Sequence, residues 1–119
     1  MSQNQSPTQS PTRLQALIKP IGAALAAVVP NTYHYWRPQM PAPYLIWQED
    51  YSRNLRADCT AAEVGIQGTA DYYTKTEYDP ATDLIQGVFD DLGLWWRLIS
   101  TDYEEETGLI HWSWDWGAV

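Results

Sequence analysis

With 119 residues, the chain suffices for one domain with a modest core. Its 45% hydrophobic content allows folding, while a formal net charge of −8 argues against a grip on a phosphate backbone, which needs clustered Lys and Arg. A single cysteine, Cys59, excludes an internal disulfide and fits a reducing compartment. Residues 1–10 lack the cationic start of a signal peptide, and the longest apolar run, residues 21–29, falls far short of the ~20 residues of a membrane span.

In chain order, residues 1–11, "MSQNQSPTQSP", are polar and without apolar periodicity, which reads as a flexible arm or as a tail that orders on a partner. Residues 12–119 read as a single domain. Thr12 to Val29 forms the first helix, capped by Thr12, with Leu14, Leu17, Ile18, Ile21, Leu25 and Val28 near one stripe. Pro20 is expected to kink or restart it, and Pro30 to end it. A short β-prone run, Thr32 to Trp36, precedes the three-proline segment Arg37 to Pro43, a loop or irregular edge. Tyr44 to Asp50 is a strand. Tyr51 to Glu63 has weak periodicity and reads as a long loop. Val64 to Tyr78 alternates, with Val64, Ile66, Gly68, Ala70 and Tyr72 on one side; the small Gly68 and Ala70 predict a closely packed helix there.

The second helix is the clearest element. Asp79 is its N-cap, Pro80 its first residue, and Gly93 its left-handed terminator. Leu84, Ile85, Val88, Phe89 and Leu92 form its stripe. Gly87 weakens it unless something packs there. A hairpin follows: the strand of "LWWRLISTDY", the turn "EEETG" and the strand "LIHWSWDW". In that last strand Ile110, Trp112, Trp114 and Trp116 share one face, and His111, Ser113 and Asp115 the other. The predicted order is α-β-β-β-α-β-β: an α+β two-layer sandwich of about five mostly antiparallel strands packed by two helices.

Few residues suggest chemistry. His34 and His111 lack a second ligand at metal-site spacing, so each reads as a surface or interface histidine. Cys59 lacks a nucleophile signature, and "GIQG" is an in-strand pattern, not a phosphate loop. Glu104, Glu105 and Glu106 read as a solvated hairpin tip, with cation chelation the alternative. The aromatics could form a sugar or peptide platform, although no convergent polar groups mark a pocket. No catalytic residue, cofactor or metal site is expected.

"PYLIWQED", "AEVGIQGTADYYTKTEYDPATDLIQGVFDDLGLWWRL" and "TDYEEETGLIHWSWDW" resemble small tail-terminator (tail-completion) proteins of long-tailed bacteriophages and prophages. Similar sequences carry a "PY..W.E" segment, a "Q.T.DYFTK.E.D" strand, a short helix and a "YE.ETG.IHY.W.W" hairpin. The corresponding features stand at Pro43 to Glu49, Gln67 to Asp79 and Tyr103 to Trp116, within a match over residues 12–119. Residues 1–11 and the segment Arg37 to Pro43 depart from the pattern.

The resemblance implies a non-enzymatic virion structural protein at the neck, assembled in the bacterial host cytoplasm. It implies a homo-oligomer, a ring usually of six subunits. That ring caps the head-proximal end of the tail tube, stops its polymerisation and docks the head connector or head-closure protein. DNA passes through the lumen, where an acidic wall lets it slide. A head-to-tail ring needs two different patches per subunit. Trp112, Trp114 and Trp116 are candidates for one patch, or are simply core. Arg53 and Arg56, in the Tyr51 to Asp58 loop, and Glu104, Glu105 and Glu106 are candidate contacts to tube or connector. The alternatives are another neck component (a head-closure, adaptor or tube-like protein) and an acidic DNA mimic that inhibits a host enzyme.

Overall fold

A computed structural model describes residues 13–37, 39–50 and 66–118. The elements follow the expected order: α1 (Arg13–Val28), β1 (Thr32–His34), β2 (Tyr44–Glu49), β3 (Ile66–Thr74), α2 (Ala81–Asp91), β4 (Trp95–Glu104) and β5 (Leu109–Ala118). The strands form one sheet in the order β1-β2-β3-β5-β4. Only the β1–β2 pairing is parallel; the other three are antiparallel. Both helices lie on one face, giving the two-layer α+β architecture. The segment 1–11, the Thr12 cap, and Arg53, Arg56 and Cys59 with the rest of the segment Tyr51 to Glu63 lie outside the described residues.

Helix α1 runs through Pro20 as one element, so the helix does not restart there. Pro20 lacks the N–H that would reach the Ala16 carbonyl, but both residues are exposed, so water can take the orphaned acceptor. Ile18, Ile21, Leu25 and Val29 are buried, whereas Leu17, expected on the stripe, is exposed. Gly22 lets the helix approach the sheet: a Cβ there would stand 2.9 Å from the Trp47 indole.

Helix α2 is bounded as its sequence predicts. An Asp79 carboxylate oxygen accepts the Ala81 N–H at 2.9 Å. At the other end Gly93 adopts φ +72°, its N–H reaches the Asp90 carbonyl at 3.0 Å, and the Leu94 N–H reaches the Phe89 carbonyl at 2.9 Å. That bond pair is a Schellman motif, with its usual apolar contact supplied by buried Phe89 and Leu94. Ile85, Val88 and Phe89 face the core; Leu84, expected with them, is 53% exposed. Nothing lies within 4 Å of a Cβ built on Gly87.

The core fills the space between helices and sheet. Strand β3 alternates buried and half-buried over its whole length, as its sequence predicts. The reason for Gly68 differs from expectation. Gly68 pairs with Trp116 across the β3–β5 ladder, and the Trp116 indole, not a helix, occupies the space a Cβ would take, 2.3 Å away. The Trp116 Nε1–H then donates to the Thr69 carbonyl at 2.9 Å. The same device recurs on the opposite face, where Trp95 covers its cross-strand partner Gly117 with 2.5 Å to a built Cβ.

Candidate functional site

The placement of β5 decides what its tryptophans do. Strand β5 is inserted between β3 and β4, because α2 carries the chain across the sheet and leaves a gap that the β4–β5 turn refills. A strand paired on both sides, with helices over one face, turns that face into core. Trp114 and Trp116 are 0% exposed. Trp114 meets Phe89 edge-on at 6.4 Å and donates its indole N–H to Gln86 at 3.0 Å. These two therefore leave the interface reading and join the core. Trp112 sits further along, half-buried and stacked on Trp114 at 6.2 Å. With Ile110 and Thr101 it lines an open groove of about 550 Å³ beside the start of α2.

Exposed apolar side chains concentrate instead at the two edges of the sheet. On the β4 edge, Trp95, Leu98, Ile99 and Tyr103 are 40–64% exposed. Ile99 is the extra residue of a β-bulge, since Leu98 faces Trp114 and Ser100 already faces Ser113. The bulge reverses the alternation along β4, so that Trp96, Leu98, Thr101 and Tyr103 share the helix side. On the β1 edge, Tyr35, Trp36 and Met40 are similarly exposed. Tyr35 holds φ +78°, an unusual conformation for a bulky residue. It is fixed there by its N–H to the Trp47 carbonyl at 3.0 Å and by its hydroxyl to Glu49. Trp36, next in the chain, is 63% exposed and meets Tyr33 in a tilted contact, 5.6 Å between ring centroids.

Both histidines are built into aromatic stacks. His34 stacks on Trp47 at 3.9 Å and donates through Nε2 to Glu49 at 2.6 Å. Burial alone would raise the Glu49 carboxyl, but hydrogen bonds from Tyr35 and His34 hold it below the usual range. His111 lies on the helix-free face, stacked on Tyr73 at 4.3 Å and bonded to Asp71 at 2.8 Å, with Glu104 at 3.9 Å from its other nitrogen. Tyr73 in turn stacks on Tyr44 at 4.9 Å, and the Arg37 guanidinium lies over both rings, 5.7 and 5.8 Å from their centroids. Burial, reinforced by Asp71, pushes the Tyr73 phenol up to about 12.

Among the described residues no group of three His, Cys, Asp or Glu side chains could hold a metal ion, and no helix is long and apolar enough to cross a membrane. Glu105 and Glu106 stand exposed in the β4–β5 turn, with Glu104 at its base. The exposed apolar edge residues Tyr35, Trp36, Ile99 and Tyr103 were not among the residues the sequence singled out. A signal for β4 was present in its two adjacent bulky pairs, Trp95-Trp96 and Leu98-Ile99, which load both faces of a strand that alternation alone would load on one.

No protein-family model matches the chain, and no curated protein does. Among solved structures, the chain is similar to a chain in the virion of a native gene transfer agent (GTA) particle. The two share 17% sequence identity with a TM-score of 0.51, over 88% of this chain and 89% of that one. At that identity the similarity establishes a shared fold across nearly the whole length of both.

Proposed function

We propose that the protein is a structural component of a phage-like virion. In this reading it is a tail terminator whose subunits close into a ring at the neck, cap the tail tube and present a docking surface to the head connector. The observation that carries the reading is the shared fold with a chain of the GTA virion, spanning both chains almost end to end. The sequence resemblance points the same way. The two exposed apolar edges are what a head-to-tail contact requires: they differ from one another and stand at opposite ends of the strand order. The ring contact is therefore assigned to Trp36 and its neighbours on one subunit and to Ile99 and Tyr103 on the next, with Trp112 at the margin. The Glu104–Glu106 turn, and Arg53 and Arg56, remain the proposed contacts to tube or connector. An acidic ring is compatible with DNA passing through without sticking.

The test is negative-stain electron microscopy of the full chain mixed with its cognate tail tube. Rings at one tube end and tubes of fixed length are expected. Tubes that stay uncapped and keep growing would refute the terminator role. Capture of a basic host protein by a monomer would then favour a DNA mimic, and binding to the connector alone another neck component.

A further inference from the structure

At one end of the helix-free face, the loop after β1, the start of β2, the residue after β3 and the β4–β5 turn enclose a pocket of about 260 Å³. Its wall includes Arg37, Tyr44, Lys75, Thr107 and Leu109. Two features mark it. The first is charge. The chain has 7 basic against 15 acidic residues, yet two of the basic ones meet at this pocket. Among the described residues neither pairs with a carboxylate, whereas Arg97 is committed to Asp115 at 3.1 Å. The bordering acid, Glu104, already accepts the Thr107 hydroxyl at 3.1 Å. The second feature is an orphan. Tyr44 is 2% exposed, and its hydroxyl is the one buried side-chain polar atom among the described residues that lacks a hydrogen-bond partner. A buried donor without a partner is costly, which makes it a pointer to an absent acceptor.

The geometry suits that acceptor. The Arg37 guanidinium carbon lies 5.7 and 5.8 Å from the ring centroids of Tyr44 and Tyr73, within cation–π range of both. A cation–π contact consumes none of the five guanidinium N–H donors, which remain able to form a fork with an oxyanion. Lys75 adds a point charge with freely turning donors. We propose that this pocket is an oxyanion site, in which Arg37, Lys75 and the Tyr44 hydroxyl receive a carboxylate or phosphate group. The proposal is independent of the ring: it requires only the folded subunit.

The test is thermal unfolding of the full chain in millimolar sodium phosphate or sodium acetate, each against sodium chloride at matched ionic strength. At least one oxyanion is expected to raise the midpoint above its chloride control. A response to phosphate alone assigns a phosphate group, and a response to acetate alone a carboxylate; either supports the site. General salting effects act on every variant alike, so Arg37→Gln and Lys75→Gln discriminate. Each is expected to need about tenfold more anion for the same shift, the loss of one charge-assisted hydrogen bond. Tyr44→Phe is expected to raise the midpoint without anion and to blunt the response with it. Equal midpoints in oxyanion and chloride, an undiminished response in Arg37→Gln and Lys75→Gln, or a Tyr44→Phe protein less stable than the parent without anion would each overturn the proposal.

Discussion

Two glycine-to-alanine exchanges in one chain are expected to act in opposite directions, and the structure sets both magnitudes. At Gly68 a Cβ would stand 2.1 Å from the Gln48 carbonyl oxygen and 2.3 Å from the Trp116 ring. Ordinary contact is about 3.5 Å, so a paired backbone would have to retreat by more than about 1 Å. Overpacking of this kind costs about 1–3 kcal/mol. Tilting the indole away also breaks the Trp116–Thr69 bond and leaves a buried N–H unpaired, adding about 1–3 kcal/mol. A total near 4 kcal/mol is a large share of the roughly 5–15 kcal/mol typical of a domain, and it lowers the melting midpoint by about 16 °C. At Gly87 the new methyl meets nothing within 4 Å, in the middle of α2. There the change is expected to stabilise by about 0.4–1 kcal/mol through helix propensity and a less flexible unfolded chain. Urea unfolding followed by tryptophan fluorescence measures both. Gly68→Ala within about 0.5 kcal/mol of the parent would refute the assignment of Gly68 as the seat of Trp116.

Three further outcomes follow from the same structure. Asp79→Ala removes the Ala81 cap and strands the buried Tyr72 and Thr74 hydroxyls, each 2.7 Å from the Asp79 carboxylate; a loss of about 2–4 kcal/mol is expected in chemical denaturation. Burial pushes the Asp79 carboxyl up, but bonds from Thr74, Ala81 and Tyr72 together hold it below its ordinary value. Its contribution is therefore complete above about pH 4 and disappears as pH falls through the lower folded value; a series of urea midpoints from neutral to acid pH should show a shallower acid limb in Asp79→Asn. Trp114→Ala, in the core, is expected to cost about 3–5 kcal/mol, whereas Tyr103→Ser and Ile99→Ser should leave monomer stability within about 0.5 kcal/mol and abolish tube capping by electron microscopy.

How much of this was legible in the sequence follows the range of each signal. The local signals of α2 and β3 were read correctly. Asp79, Pro80 and Gly93 bounded α2 because caps and left-handed terminators act within a few residues. The period of β3 gave its buried side because alternation is a property of one strand. What failed needed a second strand or helix. Leu84 and Leu17 carry stripe spacing but project past the layer they were expected to cover. The small side chain at Gly68 did signal a close approach, yet composition cannot say whether a helix or an indole makes it. The bulge at Ile99 shifts the phase of β4, and only the register against β5 reveals it.

The same distinction explains the aromatic content. The row of tryptophans at Trp112, Trp114 and Trp116 is the strongest local pattern, but strand order puts β5 between β3 and β4, paired on both sides, and the helices cover most of the row. A row that alternates cleanly has one apolar face, and a single helix layer satisfies it. The residues left over are those without a clean pattern: Tyr35 and Trp36 beside a strained turn, and Trp95, Leu98, Ile99 and Tyr103 around a bulge. Irregular backbone is what lets a subunit carry large apolar side chains outward at its edges without exposing a flat strand that would pair indiscriminately. An assembling protein needs that combination, because its contact must be apolar enough to hold and too irregular to extend with the wrong neighbour. If the chain assembles as proposed, its subunit contact belongs at the two breaks in periodicity, not along the most regular strand.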